Sequence, residues 1–269
     1  MQATDTHDHH HHDTHTHDHD VPHDHRRENA QAWVRVMILV GLAVYFAYNI
    51  VTGNLSNYIN ERFAWLSYLA VLLFGVLGAV SLAAMRRGEH LHHDHEGHDH
   101  AHSPIGWGII AITAAPLLLG VLIPSRPLGA ESVDGNISIS PLNYGAAALI
   151  NKAPEQRTVL DWLRAFSFGT QPTEFDGQPA DVVGFIYREP DFPADVFMVA
   201  RFTVSCCVAD ASAIGVPVQW ADADTLPEGG WVQVQGAFLA GDFSGQTTPI
   251  LRAQTVADVP QPEHPYLYP

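Results

Sequence analysis

The chain has 269 residues, 46% of them hydrophobic, and a formal net charge of −16 with histidine neutral. Its mean hydropathy near zero averages over three very different regions, so it cannot be treated as one uniform soluble domain. Residues 131–269 carry 17 acidic and 6 basic side chains, a net of −11 that repels phosphate backbones and argues against nucleic-acid binding.

The first 31 residues form a His/Asp-rich tail with His7, His9, His10, His11, His12, His15, His17, His19, His23 and His25. A second tract holds His90, His92, His93, His95, His98, His100 and His102, leaving only His264 of the 18 histidines elsewhere. Imidazole interleaved with carboxylate is a ligand set for Zn²⁺ and other divalent transition metals, and a flexible run of it needs no preformed cage. The run His9–His12 also fits an expression tag. That reading does not extend to the second tract, which lies inside the chain.

Three apolar stretches follow in residues 32–124: Trp33–Gly53, Phe63–Met85 and Ile105–Ile123, with the His-rich loop 88–103 between the second and third. Each suits a hydrocarbon core of about 30 Å. Pro116 is expected to kink the third. Arg26, Arg27 and Arg35 flank the first span and Arg86-Arg87 end the second, while the opposite loops carry only Arg62 and Arg126. The bias predicts a multi-pass membrane protein with the N-terminus and both His tracts cytoplasmic and the C-terminal domain extracytoplasmic. Gly75, Gly78 and Ala79 are expected to let another helix approach. No span has a charge near its centre, so a transport path requires a partner.

Residues 125–153 read as a linker, and 154–269 as a soluble α+β domain. Pro154 opens an expected amphipathic helix to about Phe166, with Val159, Leu160, Trp162, Leu163 and Phe166 apolar. From about residue 178 come five alternating runs: DVVGFIYRE, FMVARFTVSCC, GVPVQW, WVQVQGAFLAG and TPILRAQTVADV. The fold class is therefore three transmembrane helices plus a mainly-β domain, a small OB-like barrel with one or two flanking helices. Gly229-Gly230 reads as a hairpin turn.

The only cysteines, Cys206 and Cys207, are adjacent at an expected strand end, with Asp210 close by. They fit buried small hydrophobes, soft-metal ligands, or a strained vicinal disulfide. Alternation on a strand would point one sulfur inward and one outward. No Ser-His-Asp or Cys-His arrangement accompanies them, so no catalytic residue is assigned and the reading is non-enzymatic.

Several segments together resemble the bacterial YcgQ-like family of two-component permease subunits. They are Thr52-Gly53-Asn54 through Tyr58-Ile59-Asn60, the His-rich loop, Pro116-Leu117-Leu118-Leu119-Gly120, Gly184-Phe185-Ile186-Tyr187-Arg188-Glu189, Val199-Ala200-Arg201-Phe202, Ser205-Cys206-Cys207-Val208-Ala209-Asp210-Ala211 and Pro265-Tyr266-Leu267-Tyr268-Pro269. The likeness runs from about residue 33 to the end, and the N-terminal His/Asp tail is an addition to the pattern. It implies an accessory subunit beside membrane lipid that works with a larger multi-span permease. The His tracts would bind the metal, Zn²⁺ first. A membrane-anchored thiol redox protein and a structural assembly anchor are the alternatives.

Overall fold

The structure is a computed structural model that describes residues 25–87, 107–133, 135, 137–139 and 152–269. Three helices come first: α1 (His25–Val51), α2 (Ala64–Arg87) and α3 (Trp107–Leu122). The segments Asn29–Val51 and Glu61–Arg87 are long and apolar enough to cross a membrane. At 16 residues, α3 reaches about 24 Å and falls short of that length. Pro116 lies inside α3 without ending it.

The helices pack where side chains are missing. A Cβ on Gly78 of α2 would lie 3.1 Å from Val40, and one on Gly41 would lie 2.8 Å from Leu117 of α3. Gly75, expected to share this role, faces open space. Away from the contacts, Val44, Tyr48, Tyr68, Leu72, Ile112 and Leu122 are more than half exposed, a surface suited to hydrocarbon and not to water.

Beyond the membrane-capable helices, α4 (Val159–Phe168) leads into β1 (Pro179–Tyr187), β2 (Val196–Thr203), β3 (Ser212–Gln219), β4 (Trp231–Phe243), β5 (Gln246–Asp258) and β6 (Tyr266–Leu267). The expected helix from Pro154 starts later. Pro154–Gln156 forms a 3-10 turn, and α4 begins after Thr158, whose hydroxyl accepts from Asp161 N–H while Asp161 Oδ2 accepts from Thr158 N–H. This capping box satisfies two amide donors at the helix start, which the Pro154 turn does not offer.

The sheet runs β1-β4-β5-β3-β2-β6, and β1 also pairs with β2. Thus β1, β4, β5, β3 and β2 form a closed circuit of neighbours. β1 changes partner along its length, meeting β4 at Pro179–Phe185 and β2 at Phe185–Tyr187. Gly184 sits at the change, where a Cβ would lie 2.5 Å from the Ala200 carbonyl oxygen. Ser244 and Gly245 carry φ of 53° and 77°, the two positive values that a tight two-residue β4–β5 turn needs. Gly229-Gly230 is no hairpin turn, because β3 and β4 do not pair: Gly229 turns at φ 75° and its N–H bonds Ile186.

Period-two alternation on β2 feeds two cores. Phe197 and Val199 join α4, with Trp162 against Phe238 at 4.6 Å between ring centroids. Met198, Ala200 and Phe202 face the other way, under Ala130, Tyr266 and the partly buried Leu128, Val133 and Ile137. Both faces of β2 are therefore buried.

Arg201 is buried beside this second core. Its Nε donates to Pro265 O at 2.9 Å, Nη2 to His264 O at 2.8 Å and Nη1 to Val183 O at 3.3 Å, with Trp231 under the guanidinium. Burial lowers its pKa to about 10, so it remains a cation at neutral pH. Replacement by Met keeps most of the stem and leaves three carbonyls without their donor. Arg201→Met is expected to cost about 3 kcal/mol, read as a lower urea midpoint for the sheet domain.

Candidate functional site

β2 stops at Thr203, and Val204 N–H turns to the Leu267 carbonyl. The chain then reverses through Ser205-Cys206-Cys207 into a 3-10 turn, Val208–Asp210. The reversal is organised by one carboxylate. Asp210 Oδ1 accepts from Ser205 N–H at 2.8 Å, and Oδ2 accepts from Cys206 N–H at 2.7 Å and Cys207 N–H at 3.4 Å. An acid three residues after Cys207 reaches back as a capping carboxylate does at a helix start, which is why the local sequence folds this way.

The turn moves the cysteines off the strand. They do not alternate inward and outward: the sulfurs lie 3.8 Å apart as free thiols, Cys206 exposed and Cys207 half-buried. One donor atom from each of Cys206, Cys207 and Asp210 falls within 4.8 Å of the others. Exposure of Cys206 removes the reading of two buried hydrophobes.

The loop between α1 and α2 grips this turn from outside. Asn60 N–H donates to the Cys206 carbonyl at 3.1 Å, and Val208 N–H donates to the Tyr58 carbonyl at 2.8 Å. Ile59 and Cys207 thus form an antiparallel bridge. The Asn60 side chain, 2% exposed, donates through Nδ2 to Ser205 O at 2.9 Å and accepts through Oδ1 from Arg62 N–H at 3.0 Å. Nearby, Asn57 Nδ2 donates to Ser125 Oγ at 2.8 Å, and Tyr266 Oη donates to Asn57 O at 3.3 Å.

Comparison with known proteins places this architecture. Residues 34–137 match the DUF1980 N-terminal domain and residues 158–269 match the DUF1980 C-terminal domain. The chain carries both DUF1980 domains. It is 25% identical over 276 residues to a protein of Streptococcus mutans serotype c named "Putative two-component membrane permease complex subunit", covering 87% of this chain and 98% of that one. It is 24% identical over 280 residues to the UPF0703 protein YcgQ of Bacillus subtilis, again covering 87% and 98%. The DUF1980 C-terminal match begins at Thr158, the cap of α4, and the N-terminal match contains α2 and α3 whole.

The turn sets the Cys206 thiol beside an anion. The hydrogen bond to Asp210, then the Cys207 sulfur and burial, push the Cys206 thiol up to about 11. For Asp210 burial works upward, but the bonds from the Cys206 thiol and the three backbone N–H groups outweigh it and lower its pKa. The negative charge therefore rests on the carboxylate, and Cys206 is a weak nucleophile at neutral pH.

Of the expected metal ligands, His7 to His23 and His90 to His102 lie outside the described residues, and His25 begins α1. His264 pairs with Glu61, Nδ1 to Oε1 at 2.7 Å. Asn60 and Tyr58 had no chemical signal of their own, although they fall in a segment that carries the family resemblance.

Alkylation of Cys206 by iodoacetamide, followed by mass spectrometry, is expected to reach half its limiting rate near pH of about 11. An unperturbed thiol reaches half its limiting rate near pH of about 8.5. Asp210→Asn removes the acceptor charge, so the same profile should shift to lower pH.

Proposed function

We propose that this DUF1980 chain is a non-enzymatic accessory subunit of a two-part membrane permease, whose larger multi-span partner supplies the transport path. The printed name of the Streptococcus mutans relative, a two-component membrane permease complex subunit, supports the partner. The apolar outer faces of α1, α2 and α3 support three spans in contact with lipid. The closed circuit of five strands, with α4 packed on it, supports the OB-like barrel from about residue 178.

One observation carries the reading: the α1–α2 loop and the sheet domain are joined through Asn57, Tyr58 and Asn60. This makes the domain a platform held against one membrane face, suited to docking a neighbour, in place of a tethered module. α2, 24 residues and about 36 Å long, would carry the chain from that face to the other, where the His-rich loop begins. With the flanking arginines inside, that loop and the N-terminal tail are cytoplasmic and the cysteine turn is extracytoplasmic.

On the cytoplasmic side His7 to His25 and His90 to His102 bind a divalent transition metal, Zn²⁺ first, and raise its concentration beside the permease. The thiol redox alternative has less support, because Cys206 is held as a thiol with its sulfur 3.8 Å from Cys207. Isothermal titration of Zn²⁺ into the two tract peptides tests the metal reading. Binding tighter than about 10⁻⁴ M, roughly −5.5 kcal/mol, is expected, and weaker binding by both peptides overturns it. Alkaline phosphatase fused after Pro269 should be active and fused at Glu96 inactive; the reverse pattern overturns the orientation.

A further inference from the structure

The cysteine turn lies on the face opposite the His tracts in this topology, and its chemistry stands or falls without them. We propose that Cys206, Cys207 and Asp210 form a three-donor site for one Zn²⁺-class ion, with a fourth coordination position left open.

The sulfur separation is the first ground. Two thiolates on a tetrahedral Zn²⁺ with bonds of about 2.3 Å stand about 3.8 Å apart, and the two sulfurs here are 3.8 Å apart. A disulfide needs about 2.05 Å, so the pair is spaced for a shared ion and not for a mutual bond. An Asp210 carboxylate oxygen lies within 4.8 Å of both sulfurs, within reach of the same ion.

The second ground is how rigidly the donors are held. Three backbone N–H groups orient the Asp210 carboxylate. Asn60 and Tyr58 hold the peptide on both sides of the pair, through Ser205 O and Val208 N–H, and Asn60 N–H also bonds the Cys206 carbonyl between them. Asn60 touches no donor atom of the site in these bonds; it acts through the Ser205 and Cys206 carbonyls and is a positioning residue. Pre-set donors avoid the ordering cost that a flexible chelate meets on binding.

The third ground is the ligand count. Among the described residues, no fourth His, Cys, Asp or Glu joins the group. Closed four-ligand sites are structural, whereas three protein ligands leave a position for water or an incoming donor. Cys206 is exposed, so that position faces solvent. The site therefore suits an ion that arrives and leaves, as on a subunit that passes metal to a neighbour. On binding, each thiol loses its proton to water as a sulfur–metal bond forms. The ion keeps its oxidation state.

The test uses the full-length chain in detergent micelles under reducing conditions, with the tract histidines replaced by alanine, titrated with Co²⁺. Thiolate ligation gives a near-ultraviolet sulfur-to-cobalt charge-transfer band that imidazole and carboxylate do not produce. The expected result is such a band saturating at one Co²⁺ per chain, bleached by one equivalent of Zn²⁺ and absent in Cys206→Ser/Cys207→Ser. Absence of the band, or its survival in the double variant, overturns the proposal. Asn60→Ala, checked for folding by its thermal transition, is expected to weaken Co²⁺ binding about tenfold with the band per bound ion unchanged. Equal affinity in a folded Asn60→Ala chain removes Asn60 from the positioning role. Since the tract histidines are absent throughout, these outcomes are separate from those of the peptide titration.

Discussion

Asn60 joins the two halves of the molecule. Its backbone and side chain together bond Cys206 O, Ser205 O and Arg62 N–H, so one buried amide both closes the cysteine turn and starts the run into α2. A buried amide of this kind must find its partners or lose the free energy of desolvation. The sheet domain supplies the partners on one side and the helical hairpin on the other. The position of the domain against the membrane-capable helices follows from that requirement.

From there the same logic runs through the sheet. β2 is buried on both faces because one set of its alternating side chains meets α4 and the other meets the segment leaving α3 and the C-terminal residues. Arg201, on this strand, ties the C-terminal tail to β1 through three carbonyls. The tail then places Tyr266 where its hydroxyl reaches Asn57 and accepts from Leu128 N–H. Hydrophobic burial drives these contacts, and the polar bonds decide their register.

The cysteine turn gains its chemistry from this setting. Asp210 alone would make an ordinary capped turn; gripped from outside by Tyr58 and Asn60, the turn presents two sulfurs to the same side at 3.8 Å. The two thiols and the carboxylate sit where the sheet domain meets the loop between two membrane-capable helices. The helices themselves carry no charge near their centres.

The apolar runs of α1 and α2, the alternation of β1 to β5 and the nearness of Asp210 to Cys206 and Cys207 were legible in the sequence, because each depends on neighbours a few residues apart. The strand expected through Cys207 ended at Thr203, since the Asp210 carboxylate claims the amides that a ladder would use. The helix starts at the Thr158 capping box and not at Pro154, because Asp161 and Thr158 satisfy each other's amides and the Pro154 turn has no side-chain cap. The short β6, the partner change at Gly184, the role of Arg201 and the Asn60 clamp were decided only in three dimensions. Asn60 and Ser205 are 145 residues apart, and no periodicity or spacing in a chain encodes a hydrogen bond across that distance. Sequence alone set two cysteines and an acid close along the chain; tertiary packing, through the clamp of Tyr58 and Asn60, fixed the turn in which their donor atoms lie within 4.8 Å of one another.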